Sequence, residues 1–307
     1  MLCKSPISNK DTPDRIFPCG RCMPCRINRR AKKACRLILE SKAHDQTCFL
    51  TITYSDVHLP DVTVRSHDDH YDIRPTLVLE DHQKFMKKLR NHFPGVRFYV
   101  VGEYGDKTQR PHYHYALFGA PSCPLQSPPT KECKCQVCSK YSKIWGKGRI
   151  HAGSFTPESA QYVSGYVTKK MTSPDDPRLE GRFPEFSRQS LRPALGYPFA
   201  DEIGKQLLKY NKTWDDIPSS IKIGGRSWPL DRTMINRIKT HLPEPENYDA
   251  IQEHEKRMRS MYLHTPNAPK EILRRAGKNL SIASSYKNTQ KILDVEAKLK
   301  FKKGKSL

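Results

Sequence analysis

The chain has 307 residues, enough for one large domain or for one domain with an appendage. Its 54 lysine and arginine residues outnumber 32 aspartate and glutamate residues, and the net charge of +22 favours a nucleic-acid partner over a set of solvated basic faces. Mean hydropathy is -0.74, and no apolar run reaches the ~18 residues of a transmembrane helix. The N-terminal residues also lack the apolar segment of a signal peptide, so we expect a cytosolic protein.

Residues 1–25 are rich in proline and cysteine, and we expect them to be irregular. Cys19, Cys22 and Cys25 stand at two-residue gaps, with Cys3 upstream, and such gaps suit a tetrahedral structural zinc ion. A reducing compartment argues against disulfides among the 10 cysteines. The alternative is a group of thiols that binds no metal.

A basic amphipathic helix is predicted over residues 26–43. Its apolar side chains recur on one face, at Ile27, Ala31, Ala34, Leu37 and Ile38. Its basic side chains lie on the other face, at Arg29, Arg30, Lys32, Lys33 and Arg36. Such a face could lie along a phosphate backbone, or it could simply be solvated.

A strand follows over residues 48–54, where β-branched and aromatic residues are concentrated. The next stretch is a polar loop whose cluster His67-Asp68-Asp69-His70 could bind metal or remain solvated. A helix is predicted over residues 79–93, and Pro94-Gly95 ends it.

Two further strands, over residues 96–103 and 110–118, are separated by a short Gly/Asp turn. Residues two apart in a strand share a face, so His112 and His114 point the same way. Glu103 ends the first of these strands and would lie beside His112 across the hairpin. One carboxylate and two imidazoles can hold Mg2+ or Mn2+, and zinc would also fit. Two surface histidines are the alternative.

Residues 121–140 form an insertion rich in proline and cysteine. Its four cysteines, Cys123, Cys133, Cys135 and Cys138, offer a second structural zinc site, with unliganded thiols as the alternative. A fourth strand is predicted over residues 148–155.

A helix over residues 157–171 begins with proline in its first turn. Tyr162 and Tyr166 are four apart and share one helical face, with Lys169 and Lys170 within reach of Tyr166. A tyrosine can attack a phosphate and form a covalent phosphotyrosine, and a second tyrosine could attack next and release the first. An ordinary packing stripe is the other interpretation of this pair.

The order of elements predicts an α+β fold, an antiparallel β-sheet flanked by helices. We divide the chain into a Cys-rich basic N-terminal segment and helix (1–45), a core (46–172) and a helical or irregular basic C-terminal region (173–307). Short helices are expected in that last region at 200–211, 230–240, 246–263 and 268–276. The role of residues 236–307 is left open between DNA binding and contact with partner proteins.

Several motifs resemble those of the HUH endonucleases. His112-Tyr113-His114 resembles the His-hydrophobic-His motif, and Tyr162-x-x-x-Tyr166-x-x-Lys169 resembles the two-tyrosine motif. The strand Phe49–Tyr54 resembles the first, structural motif. The stretches Gly102–Gly105 and Pro18–Cys25 are similar to replication initiation proteins of gokushovirus-type microviruses, small single-stranded DNA phages. The likeness is specific over residues 15–172 and looser to about 235.

This resemblance implies an enzyme that nicks one strand at the phage origin, forms a 5′-phosphotyrosine and religates the displaced strand in rolling-circle replication. It implies single-stranded and replicative-form phage DNA as partners, together with host helicase and polymerase, in the host bacterial cytoplasm. Relatives with two tyrosines often carry lysine just before the second, whereas this chain has Gly165. That departure leaves the equivalence of Tyr162 and Tyr166 open.

Two other functions would use part of the same pattern. A zinc-containing nucleic-acid-binding regulator without catalysis would keep the cysteine clusters but would not need Glu103, His112 and His114 together. A zinc deaminase would require a His-x-Glu sequence, which does not occur in this chain.

Overall fold

The computed structural model describes residues 3, 7–9, 12–65, 70–106, 108–165 and 175–245. Tyr166, Lys169 and Lys170 lie outside the described residues, as do most of the His67–His70 cluster and the two helices predicted beyond residue 245. The chain divides into two compact units. One comprises residues 1–30, 212–216 and 243–307, and the other comprises residues 31–211 and 217–242.

The described residues form strands β1 Ile7–Asn9, β2 Thr12–Phe17, β3 Thr47–Thr53, β4 Asp61–Arg65, β5 Tyr71–Pro75, β6 Arg97–Tyr104, β7 Pro111–Phe118, β8 Ile150–Ser154, β9 Phe186–Gln189, β10 Ser220–Ile223 and β11 Arg226–Pro229. They also form α-helices α1 Met23–Lys42, α2 Leu79–His92, α3 Gln136–Trp145, α4 Pro157–Gly165, α5 Tyr197–Lys209 and α6 Arg232–Lys239.

A five-stranded antiparallel sheet with the order β8-β3-β7-β6-β9 forms the centre of the larger unit. Its middle strand, β7, is buried along almost its whole length. In β3, every second residue is buried, as expected when only one face of a strand meets the core. We call that side of the sheet the core face and the opposite side, which carries His112 and His114, the site face.

Helices α2 and α3 cover the core face. Phe85 of α2 packs against Tyr115 of β7, with ring centroids 5.2 Å apart, and Trp145 of α3 contacts Tyr113 at 6.1 Å. Leu50 and Ile52 of β3 join the same buried cluster. Helix α2 therefore presents its apolar side inward and its basic side to solvent, as its amphipathic sequence predicts.

A buried polar network joins the start of α2 to the sheet. The Tyr54 hydroxyl donates to Asp81 at 2.8 Å and lies 2.8 Å from the Tyr113 hydroxyl. Tyr113 in turn donates to the Val78 carbonyl at 2.8 Å, and Lys147 donates to Asp81 at 2.6 Å. Each polar group of this network has a partner, so burial leaves none of them unsatisfied.

Helix α1 lies along the site face of the sheet within the larger unit. Glu40, which is fully buried, forms an ion pair with Arg97 of β6 and accepts a hydrogen bond from the Gly196 backbone N–H at 2.6 Å. The Lys33 ammonium lies 5.2 Å from the centre of the Tyr99 ring and donates to Gln189 of β9 at 2.7 Å. Polar contacts therefore fix the helix against β6 and β9.

The smaller unit contains the β1–β2 hairpin, in which Ser8 pairs with Ile16, and the first turns of α1. Residues 1–25 were predicted to be irregular, and that prediction is wrong for these two strands. Proline and cysteine content hid the short pairing, because strand signals are weak in runs of three to six residues.

The predicted fold class is confirmed: the structure is α+β, with an antiparallel sheet flanked by helices. The predicted elements within residues 26–118 and the strand over 148–155 are present, with bounds shifted by a few residues. Sequence analysis missed α3 inside the Cys-rich insertion, the β4–β5 hairpin inside the polar loop and the short edge strand β9. The described residues include no helix long and apolar enough to cross a membrane.

His82 of α2 provides a pH-dependent contribution to stability. Burial, followed by the charges of Arg188 and Arg90, lowers the pKa of His82 from 6.5 to about 4. Below pH 6.5 the unfolded chain therefore binds a proton that the folded chain does not bind, so the free energy of unfolding falls as the pH drops toward 4.

We expect wild-type protein to lose about 1.5 kcal/mol more unfolding free energy than His82→Gln between roughly pH 6.5 and pH 5. Urea unfolding of both proteins at the two pH values measures the difference. Identical pH dependence in the two proteins would show that His82 does not titrate in this way.

Candidate metal centre and adjacent tyrosine

Glu103, His112 and His114 meet on the site face. In the β6–β7 register Glu103 stands directly opposite His112, and His114 follows two residues later on the same face. Glu103 Oε1 lies 2.9 Å from His112 Nε2 and 2.9 Å from His114 Nε2. Glu103 is 2% exposed and His114 is 6% exposed, so a buried carboxylate joins the two rings.

The outer nitrogen of each histidine has its own partner. His112 Nδ1 lies 3.0 Å from the Arg110 carbonyl oxygen, and His114 Nδ1 lies 2.9 Å from Thr51 Oγ1. A carbonyl can only accept, so His112 Nδ1 carries the hydrogen, and in the neutral ring Nε2 keeps a lone pair aimed at Glu103. A lone pair facing a carboxylate oxygen is unfavourable unless Nε2 is protonated or a cation lies between the two groups.

The donor set fits a divalent cation. Its two imidazole nitrogens and one carboxylate oxygen all lie within 4.8 Å of one another. These are ligand types that hold divalent ions, and three protein ligands leave positions open for further oxygen ligands. Outer hydrogen bonds of the kind made by Arg110 and Thr51 orient ligating histidines in metal sites.

Tyr162 of α4 lies beside this group. Its ring is perpendicular to that of His114, with centroids 5.3 Å apart, and also perpendicular to that of Phe49, at 6.0 Å. Phe49 in turn stacks on His114 at 5.7 Å with an interplanar angle of 4°. Tyr162 is nevertheless 48% exposed, so a ligand from solvent can reach its side chain.

Local sequence explains where α4 begins. The Ser159 backbone N–H donates to Thr156 Oγ1 at 3.3 Å, and the Thr156 N–H donates to Ser159 Oγ at 2.7 Å. This reciprocal cap satisfies N–H groups that a helix start leaves open, and Pro157 occupies the first turn. Tyr162 thus falls on the turn of α4 nearest His114.

Two contributors to the site were not identified from the sequence. Phe49 and Thr51 were assigned to a structural strand only, yet both flank His114 on the site face. Thr51 pairs with His114 in the β3–β7 register. Alternation along β3 could have placed both side chains on one face, but pairing of β3 with β7 rather than β6 was not evident.

The eight predicted cysteine ligands form two tetrads, within each of which the sulfur atoms lie within 4.8 Å of one another. In the first tetrad, Cys3 and Cys22 have their sulfur atoms 3.8 Å apart, and the other members are Cys19 and Cys25. The Cys22 backbone N–H donates to Cys19 Sγ at 3.3 Å. This hydrogen bond, followed by that of the Arg21 N–H, lowers the pKa of the Cys19 thiol to about 6.

The second tetrad joins the exit of β7 to the start of α3. Cys123 Sγ lies 3.6 Å from Cys133 Sγ and 3.8 Å from Cys135 Sγ, and the fourth member is Cys138 in the first turn of α3. The Cys138 backbone N–H donates to Cys135 Sγ at 3.4 Å. Four sulfur atoms bound tetrahedrally at ~2.3 Å from zinc are separated by roughly 3.8 Å, so both tetrads have dimensions that could hold such an ion.

Comparison with known proteins gives a consistent result. The family described as replication-associated protein ORF2 matches residues 47–171. The replication-associated protein VP4 of Bdellovibrio phage phiMH2K is 30% identical over 245 residues, which cover 79% of this chain and 74% of the relative.

Two further relatives are similar over shorter shares of their own length. The replication-associated protein ORF2 of Spiroplasma virus 4 is 34% identical over 59% of this chain and 56% of the relative. The replication-associated protein ORF4 of Chlamydia phage 1 is 27% identical over 76% of this chain and 56% of the relative. No solved structure matches the chain.

Proposed function

The chain belongs to the family of phage replication-associated proteins, and we propose that it is a replication initiator of the HUH type. In this proposal it nicks one DNA strand at the phage origin by tyrosine attack. The observation that carries the proposal is the position of Tyr162, in ring contact with His114 of the Glu103–His112–His114 group. Replication proteins act on DNA, and a net charge of +22 suits that substrate.

Glu103, His112 and His114 would hold Mg2+ or Mn2+. Such an ion, when bound, would neutralise charge on a non-bridging phosphate oxygen and orient the phosphate for in-line attack. The roles of the protein groups follow from their partners. Arg110 and Thr51 fix the two rings so that each Nε2 faces the shared position, and Glu103 supplies the negative charge.

Tyr162 would be the first nucleophile. Its phenol loses a proton as the oxygen bonds to phosphorus, the bond from phosphorus to the 3′ oxygen breaks, and the departing 3′ oxygen takes up a proton. The products are a 5′-phosphotyrosine and a free 3′-hydroxyl from which a polymerase can extend. Phe49 and His114 hold the Tyr162 ring on two edges, which limits its orientations before attack.

Tyr166 would be the second nucleophile. It stands four residues after Tyr162, at the helical spacing that places two side chains on one face, and Lys169 and Lys170 follow within one turn. Attack by a second tyrosine, followed by return of the 3′-hydroxyl onto the first phosphotyrosine, would religate a unit-length strand. Gly165 between them costs a helix about 1 kcal/mol relative to alanine, which favours a local break that lets the two phenols exchange.

We further propose that both cysteine tetrads hold structural zinc. The short sulfur–sulfur distances and the N–H groups directed at Cys19 and Cys135 support thiolate ligands. A zinc-containing regulator without catalysis would share this feature. It would give no reason for a half-exposed tyrosine to lie against the two histidines.

The tyrosine assignment can be tested with single-stranded oligonucleotides that tile the phage genome, in the presence of Mn2+. We expect a denaturation-resistant protein–DNA adduct, and we expect Tyr162→Phe to lower its yield by about 100-fold or more because the attacking oxygen is removed. Tyr166→Phe should keep the first adduct and lose strand joining. Mass spectrometry of the adduct identifies the attacking residue.

Full nicking and joining by both single variants would contradict the two-nucleophile mechanism. An absence of any adduct from wild-type protein with every divalent metal tried would favour the non-catalytic regulator.

The metal assignment predicts that Glu103→Gln raises the Mn2+ concentration for half-maximal adduct formation by roughly tenfold or more, because the only negative ligand is lost. Glu80→Gln is the matched control, since Glu80 is an exposed carboxylate on α2 with the same charge. Calorimetric titration with Mn2+ in the absence of DNA measures the same affinity independently of catalysis. Equal metal dependence of the two variants would count against the site.

The zinc assignment predicts two zinc ions per chain, one for each tetrad. Mass spectrometry under native conditions should show the loss of one ion in Cys135→Ser and of none in Cys35→Ser. Cys35 is a buried cysteine outside both tetrads, so it controls for the loss of a thiol as such. A metal content unchanged by Cys135→Ser would refute a zinc ion in the second tetrad.

A further inference from the structure

A basic groove runs between α2 and α3 on the outer side of the two helices that cover the core face. Its volume is about 530 Å³. The charged part of its lining consists of Lys88 and His92 from α2 and of Lys140 and Lys143 from α3. The remaining lining is neutral and polar except for Ile144.

Positive charge in the groove is not compensated by nearby acidic groups. No carboxylate belongs to the groove lining formed by the described residues. The two acidic residues of α2 lie in its first turn, and the α3 sequence contains none. Within the described part of the chain, Lys88, Lys140 and Lys143 form no ion pair, and all three are exposed. A concave surface with one sign of charge attracts a polyanion.

The groove lies on the opposite side of the sheet from the candidate metal centre. Helices α2 and α3 pack on the core face through Phe85 and Trp145, whereas Tyr162 contacts His114 on the site face. A strand positioned for attack by Tyr162 does not also occupy the groove unless it passes around the edge of the sheet. The groove therefore suits a second segment of nucleic acid.

The lining favours a duplex over a single strand. Proteins that bind single strands combine basic side chains with aromatic rings on which bases stack. No aromatic side chain of the described residues lines this groove. The nearby Phe93 is covered by Tyr141, with centroids 5.7 Å apart, and by the Lys140 ammonium at 5.5 Å. Contacts to phosphates alone are what a duplex offers, because its bases are already stacked.

We propose that the groove between α2 and α3 binds the phosphate backbone of duplex DNA that adjoins the cleaved strand. This inference rests on the proposed function in that DNA is taken as the substrate. The second cysteine tetrad supports the groove, because Cys135 and Cys138 set where α3 begins. The domain would then hold replicative-form DNA on one side while a single strand reaches the tyrosine on the other.

The test compares the full-length chain with the triple variant Lys88→Gln/Lys140→Gln/Lys143→Gln. The control is Lys205→Gln/Lys209→Gln/Lys222→Gln, which removes the same charge from exposed positions on α5 and β10. Fluorescence anisotropy with a duplex and with a single strand of equal length, over a series of salt concentrations, gives Kd and its salt dependence. Circular dichroism checks that both variants are folded.

We expect the groove variant to bind duplex roughly tenfold more weakly or worse, and the slope of log Kd against log salt to fall by about 2 to 3 because three phosphate contacts are lost. The control variant should change both quantities less. Equal weakening by the two variants, or no weakening by either, would overturn the proposal. A loss confined to the single strand would also overturn it, because the occupant would then not be duplex.

Adduct formation on a short single-stranded oligonucleotide separates this inference from the proposed function. The groove variant should form that adduct at a rate similar to the control variant, since the oligonucleotide is too short to reach the groove. If wild-type protein forms no adduct, the nicking proposal fails, while the duplex-binding comparison still decides whether the groove binds DNA.

Discussion

The register of the central strand β7 determines where the candidate site lies. Its sequence alternates so that His112 and His114 point to the site face while Tyr113 and Tyr115 point into the core. A shift of one residue would exchange the two sets and bury both histidines among apolar side chains. Pairing with β6 on one side and β3 on the other fixes this register, and it brings Glu103 and Thr51 to the same two rings.

The elements around the sheet then divide the work between its two faces. On the core face, packing of aromatic rings and a fully paired polar network hold α2 and α3 in place. On the site face, α4 approaches β7 through the edge contacts of Tyr162 with Phe49 and His114. The second cysteine tetrad ties the end of β7 to α3, so the strand that carries the histidines is anchored immediately after it leaves the sheet.

The sequence was sufficient for the parts of the molecule in which spacing is local. His112 and His114 are two apart, Glu103 is one hairpin away, and the cysteines cluster within short stretches, so their proximity follows from strand and turn geometry. Elements that depend on distant partners were missed. Strand β9 is short and polar, and it becomes a strand only because β6 offers an open edge. Helix α3 has apolar positions at helical spacing, but the surrounding cysteines and prolines concealed them.

The polar network on the core face has a further consequence for reactivity. Burial raises the pKa of the Tyr113 phenol to about 12, and burial likewise raises the pKa of Tyr54 and of Tyr115. Tyr113 stands between the two histidines in the sequence, yet at neutral pH it remains a protonated hydrogen-bond donor on the far side of the strand. The sheet thus acts as an insulating layer: rings required for folding are kept chemically silent within a few residues of a site that would need a reactive phenol.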